Sequence, residues 1–467
     1  MSGCGRNLVA AGLIAIGMAV AAPALAQGAG RVPVPPEGIA AFDKGEYGKA
    51  AEFIIPAFEH CRTTRPKDGA CADLAMAVAV LVATAGNARV ESNILSAQSY
   101  IDAQVGRDTT EALGVLGAVT SYYDRLVQME KNLPHAERRL TLSRKLNGPL
   151  ARTSVAAAIG LCVVKWNLGK GQEAVELLAP LLDKLPTRTP QEALLAGSVY
   201  ECTGTAYYAM DRDREAGPAF RKALALFEQA EGERGERAID VMASLANTLR
   251  RLRRDADARA MAARVAALAK PDAAARARIA WWAAPGAADQ VGAARAELAK
   301  AEAQYGAQSV MADMAAANLG VALSEAGRAA EAEPYLARIS AAAANEATPP
   351  AFRIKLLTGQ VTLLLKLDQG RFDRALPAIE RLVALAKSTG AGSDRILIDF
   401  QMYAGTMLLL TDKSARAYPL LSDAGALFME RLASYRDFDP AALRETREYA
   451  PIFQFKVAAA WRLAQRR

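Results

Sequence analysis

Histidine is almost missing from this chain: His60 and His135 are the only two in 467 residues. Neither lies in a recognisable catalytic context. His60 stands beside Cys61 at a predicted helix end, and a thiolate nucleophile needs a base more clearly arranged than that. The nine residues between Cys61 and Cys71, with one histidine nearby, do not make a zinc-ligand spacing. His135 follows Pro134 in a stretch that reads as a loop. Aromatic residues make up only 6% of the chain, and long Val/Ile/Thr alternations are absent, which excludes an extensive sheet. No phosphate loop of the form G-x-x-x-x-G-K-[ST] occurs. The glycines of "NLGKGQEA" (167–174) follow no strand and suit a turn between helices. No cofactor is implied by any motif.

Long apolar runs are lacking too, with one exception at the start. "LVAAGLIAIGMAVAA" (8–22) follows Arg6 and precedes "APALAQ", which places small residues Ala24 and Ala26 at an A-x-A cleavage site. Residues 1–26 therefore read as a signal peptide cleaved after Ala26. Cys4 precedes the apolar run, so it is not a lipid-attachment cysteine. No later stretch can span a bilayer, so no integral membrane segment is expected after cleavage. The expected localisation is periplasmic or secreted. Removal of Arg6 leaves 56 basic residues against 50 acidic ones, a mild and dispersed excess that gives no nucleic-acid footprint.

Alanine is abundant, and apolar residues make up 52% of the chain. Alanine favours helix and lets helices approach closely. The four cysteines beyond the signal are an even number, as an oxidising compartment allows. Cys61 and Cys71 flank "RTTRPKDGA" between two helices and can pair. Cys162 and Cys202 sit at nearly matching points of consecutive repeats. They can pair or remain buried thiols.

The repeats are the strongest signal. Turns such as "EAGRAAEAEP", "MDRDREAGP" and "LTDKSARAYP" recur around alanine anchors at 50, 174, 216, 258, 332, 375 and 417. The spacing is 42 from Ala174 to Ala216 and from Ala216 to Ala258, 43 from Ala332 to Ala375, and 42 from there to Ala417. Twelve residues before the anchors stand Gly38, Cys162, Gly204, Ala246, Gly320, Leu363 and Gly405, nearly all small. Four residues after them stand Ile54, Leu178, Phe220, Ala262, Leu336, Ile379 and Leu421, nearly all large and apolar. This is a helix–turn–helix unit in which a small residue and alanine permit a close crossing and the apolar residue fills the groove. Pro218, Pro334, Pro377 and Pro419 each follow an anchor by two, where proline near a first helical turn costs little. Two gaps require degenerate units. "KNLPHAERRLTLSRKL" (131–146) fits a second helix in the first gap, and "GAARAELAKAEAQYG" (292–306) a drifted helix in the second.

These units resemble tetratricopeptide repeats, and "EAGRAAEAEPYLARI" is similar to the long-period variety of kinesin light chain. The resemblance implies an all-α, tetratricopeptide-like α-solenoid, a right-handed superhelix of about ten helix-turn-helix units. The expected organisation is a signal peptide (1–26), a flexible Gly/Pro-rich leader (27–38), the repeat array (39–430) and C-terminal capping helices (431–467). In the cap, Asp439 serves as N-cap and Pro440 opens the helix.

In such arrays the first helices line a concave groove that binds peptides. On that resemblance Trp166, Glu201, Tyr208, Asn247, Arg250 and Arg251 face inward. "LRRLRRDADAR" (249–259) is either a solvated helix end or an anion site for a carboxylate of a partner. Trp281 and Trp282 are adjacent, so they face different sides of any helix, and one of them is a possible exposed anchor. The function implied is a non-catalytic exported scaffold binding a protein or peptide. The array is also similar to those of bacterial CHAT-domain proteins, but the chain beyond Ala417 has neither the His nor the Cys that the protease domain needs. A detached partner of such a protease, or a cell-envelope assembly factor, stand as alternatives.

Overall fold

The computed structural model describes residues 31–465, apart from 66–68, 86–90, 271–274, 277–278, 280–282, 284–286, 347, 368–373, 390–393 and 434–439. The signal segment 1–26, Trp281, Trp282 and the N-cap Asp439 lie outside the described residues. The described chain is an all-α solenoid built from consecutive helical pairs. It opens with α1 (Pro36–Asp43), α2 (Tyr47–Thr64), α3 (Ala72–Ala85), α4 (Glu91–Tyr100), α5 (Thr110–Leu126) and α6 (Met129–Asn147). It continues with α7 (Arg152–Asn167), α8 (Gly171–Leu178), α9 (Pro190–Ala209), α10 (Asp213–Glu231), α11 (Glu236–Arg251), α12 (Asp255–Leu268) and α13 (Ala287–Tyr305). The last helices are α14 (Val310–Glu325), α15 (Ala329–Ala344), α16 (Pro350–Leu367), α17 (Ala375–Thr389), α18 (Asp394–Leu410), α19 (Ser414–Ala433) and α20 (Pro440–Gln465). Within the units consecutive helices pack together, as α1 on α2, α5 on α6, α10 on α11, α14 on α15 and α18 on α19, and first helices of neighbouring repeats also meet, α3 on α5 and α14 on α16. None of the described helices is long and apolar enough to cross a membrane.

The helices fall into two compact units. One holds the described chain up to Lys165 together with Glu173–Cys202; the other holds Trp166–Gln172 and the chain from Thr203 onward. In the first, Cys61 and Cys71 stand at disulfide distance, with Cα atoms 5.9 Å apart, and so do Cys162 and Cys202, at 6.6 Å. Residues 31–38 are not a free leader. Arg31 pairs with Asp73 and Glu111, the Val32 N–H donates to the Ala70 carbonyl, Val34 is buried, and α1 begins at Pro36. The two ion pairs and the backbone hydrogen bond fix a segment whose Pro/Gly composition alone reads as flexible.

One turn builds the repeat. Five residues before an anchor the backbone is left-handed: Gly45 (φ 75°), Asp211 (57°), Arg253 (57°), Gly327 (74°) and Asp412 (61°). The next N–H reaches back to the carbonyl five residues earlier, as Arg212 to Tyr207, Arg254 to Leu249, Arg328 to Leu323 and Lys413 to Leu408. This is the Schellman closure of a helix, which satisfies an orphan carbonyl and starts the next helix in a fixed direction. Val127 (φ 64°) makes the same turn, with the Gln128 N–H donating to the Tyr123 carbonyl. It therefore marks a repeat in the first gap whose anchor is Asn132, 42 residues before Ala174. Asn132 is fully buried, and its amide donates to the Thr120 carbonyl and the Asp124 carboxylate. Pro134, two residues on, was the surviving consensus mark.

The prolines sit deeper than expected. Pro134, Pro218, Pro334 and Pro419 each occupy the sixth residue of a helix, because the second helix starts straight after the turn. Each removes one intrahelical hydrogen bond rather than occupying an orphan position. His135 likewise lies inside α6, not in a loop. It stacks on Tyr123 at 5.6 Å, and burial lowers its pKa.

Close crossings explain the small residues. A Cβ at Gly405 would sit 2.6 Å from Leu421 Cγ, and one at Gly204 2.9 Å from the Phe220 ring. Gly405→Ala is expected to cost about 1–3 kcal/mol in urea unfolding through overpacking. Gly292→Ala, in α13 with open space around it, is expected to be neutral or to gain up to about 1 kcal/mol.

Candidate functional site

Three of the residues predicted to face inward share one register. Trp166, Tyr208 and Arg250 each precede an anchor by eight and are spaced by 42 residues. They close α7, α9 and α11 and are all half-buried. Lys355 of α16 places its ammonium 5.8 Å from the Trp166 ring and 5.2 Å from Phe352. The Arg251 guanidinium lies 4.2 Å over the Tyr208 ring, and its Nη1 donates to the Tyr208 carbonyl at 3.1 Å. Cations on aromatic faces gain more when partly desolvated, as these are.

Arg251 is also the centre of an ion cluster. It pairs with Asp211, and its Nε lies 3.0 Å from Asp213 Oδ2. Both carboxylates come from the preceding turn: Asp211 is the left-handed residue and Asp213 the first residue of α10. The C-terminal helices supply the rest. Arg431 binds Glu445 through two 2.9 Å bonds and donates to the Asp211 carbonyl at 3.3 Å. Arg253 and Arg395 both reach Glu448, at 3.3 and 3.4 Å. Tyr449 donates to Asp399 at 2.8 Å. Within its unit the chain is thus tied together across 195 and 220 residues of sequence.

Burial sets the electrostatics. It pushes the Asp213 carboxyl up to about 7, against the pull of Arg395 and Arg431. It also raises Asp399 and Tyr208 and lowers the Arg250 and Arg251 guanidinium groups. Burial opposes the Arg395 charge as well, but Tyr449, Asp399, Glu448 and Glu445 raise its pKa overall. Such a cluster survives in a low dielectric only because each charge has partners of opposite sign.

The remaining candidates fall elsewhere. Asn247 is buried, with its amide donating to the Ala243 carbonyl one turn back in α11. Glu201 is buried and belongs to the other unit. Cys61, beside His60, is at disulfide distance from Cys71, so no thiolate is paired with that histidine. No repeat spacing points to Arg395, Arg431, Glu445 and Glu448, because the cluster forms only where Arg431 meets Asp211 and Glu448 meets Arg253, 220 and 195 residues apart. The acidic pair in "MDRDREA", facing the next repeat's arginines, was the one available clue.

No family model matches the chain, and no curated protein matches it. Among solved structures it is similar to a Rap protein crystallised with competence and sporulation factor. The TM-score is 0.41 at 13% identity, covering 82% of this chain and 98% of that one.

Proposed function

We propose that the protein is a non-catalytic scaffold that binds an extended segment of a protein partner along the ladder Trp166–Tyr208–Arg250. The carrying observation is the shared register: two aromatic rings and a guanidinium recur at one position of three consecutive repeats. A partner running along the repeats meets two rings for apolar or cationic contact and then a cation for a carboxylate. Arg251 acts differently. Its charge is committed to Asp211 and Asp213, so it fixes the Tyr208 ring rather than meeting the ligand. Glu201 and Asn247 are proposed only as supports of that wall.

The proposed setting is an oxidising compartment outside the cytoplasm, reached through residues 1–26, with the two cysteine pairs as its structural counterpart. A role beside a CHAT-type protease or in envelope assembly would be a choice of partner, not of site. Trp166→Ala, Tyr208→Ala and Arg250→Glu combined should abolish co-purification of the partner retained by the wild-type chain, with unchanged helical circular dichroism. Undiminished retention by that variant would contradict the ladder. Turnover of a hydrolase substrate panel by the pure chain would contradict the non-catalytic reading.

A further inference from the structure

The last helix carries a second surface, independent of the interior ladder. α20 packs on α19 and α18 through Tyr449, Ile452 and Ala459, all fully buried. Its acids are paired within the fold: buried Glu445 holds Arg431, and exposed Glu448 meets Arg253 and Arg395. The outward face is apolar. Leu443 is 53% exposed, Phe453 38%, Val457 69% and Trp461 66%.

The spacing of that face is regular. Positions 443, 446, 450, 453, 457, 460 and 464 advance by alternating steps of three and four along α20. This is a heptad seam sustained for about 32 Å at 1.5 Å per residue. Leu443, Phe453 and Val457 supply the large side chains, Ala450, Ala460 and Ala464 let another helix approach closely, and Thr446, the one polar seam position, donates its hydroxyl to the Ala442 carbonyl. Trp461 stands at the rim. A seam this narrow suits a single helix; a helix that lies on a bilayer shows a broader apolar face. The flanks carry Arg447 and Lys456, and from 449 to the end the sequence holds four basic residues and no acidic one. Two copies paired here would bring like charges together.

We infer that the outer face of α20 docks an amphipathic helix of a partner protein, with apolar heptad positions and acidic flanks. The test uses the full chain with its disulfides intact and a synthetic 28-residue helix carrying Leu at the heptad core and Glu at the flanks. Its twin carries Lys at the flanks. In fluorescence anisotropy the Glu peptide should bind saturably, and the Lys peptide at least tenfold more weakly. Val457→Glu should weaken the Glu peptide at least tenfold with no change in Tm, since the position is exposed. The Trp166→Ala/Tyr208→Ala/Arg250→Glu variant should bind it normally, which separates this surface from the ladder.

Absence of binding, equal binding of both peptides, or binding unaffected by Val457→Glu would overturn the inference. So would a Val457-dependent dimer in sedimentation velocity, which would make a second copy the occupant. Val457-dependent binding to phosphatidylglycerol vesicles without peptide binding would assign the face to lipid and overturn it equally.

Discussion

Arg251→Met should lower the unfolding free energy by about 3–5 kcal/mol near neutral pH, the usual cost of removing one partner from a buried ion cluster. The methionine keeps most of the volume but leaves Asp211 and Asp213 facing each other without their nearest cation, and Tyr208 without its cation. The loss should depend on pH. In the folded wild-type chain Asp213 titrates at about 7, against an ordinary value of 3.8. Between these values the fold holds a proton that the unfolded chain has released. This group therefore makes stability fall as pH rises from about 4 to 7 and level off above that. Without Arg251 the two carboxylates have still more reason to stay protonated, so the deficit should shrink at pH 5 relative to pH 8. Adding Asp211→Asn and Asp213→Asn should recover most of the loss, because neutralising a whole buried cluster costs far less than breaking it. Urea unfolding at the two pH values reads all three variants. A triple variant as unstable as Arg251→Met alone would show that packing, not charge, holds this corner.

Reducing or removing the Cys162–Cys202 link should cost about 4 kcal/mol, and the Cys61–Cys71 link about 3 kcal/mol. These values come from the loop entropy that cross-links separated by 40 and 10 residues remove from the unfolded chain. The effects belong to different stretches of one unit and should nearly add. The longer link joins α7 to α9, first helices of consecutive repeats, so its loss should also loosen the register there. Paired Cys→Ala variants with thermal unfolding under oxidising and reducing conditions measure each link separately. An oxidised wild-type chain no more stable than the Cys162→Ala/Cys202→Ala variant would show that this pair does not stabilise the fold.

Repeat periodicity made the architecture legible. Alanine anchors, small residues twelve before and apolar residues four after all correspond to buried crossings, because each repeat must solve the same close-packing problem. What failed was local. Asn132 stands in place of an anchor alanine, with its amide nitrogen donating to the Thr120 carbonyl and the Asp124 carboxylate of α5, so composition hid a regular repeat. The left-handed residue of the turn is glycine in some units but Asp, Arg or Val in others, and no residue rule identifies a position that several types occupy at a cost of about 1–2 kcal/mol. The site was half legible. The ladder of 166, 208 and 250 follows from the period, whereas the partners of Arg253 and Asp211 lie 195 and 220 residues away and leave no trace in spacing. "LRRLRRDADAR" read either as a solvated helix end or as an anion site. In the fold its Arg251, Arg253 and Arg254 pair with the chain's own carboxylates, and Arg250 holds the ladder's register at the end of α11.

Whether a partner lies against that ladder is read directly by site-specific photocrosslinking in the native host. A photoreactive amino acid at position 208, at the end of α9, should yield one discrete adduct. The same group at position 259, exposed on α12, should yield none. An adduct at 259 with none at 208 would contradict the proposed mode of binding.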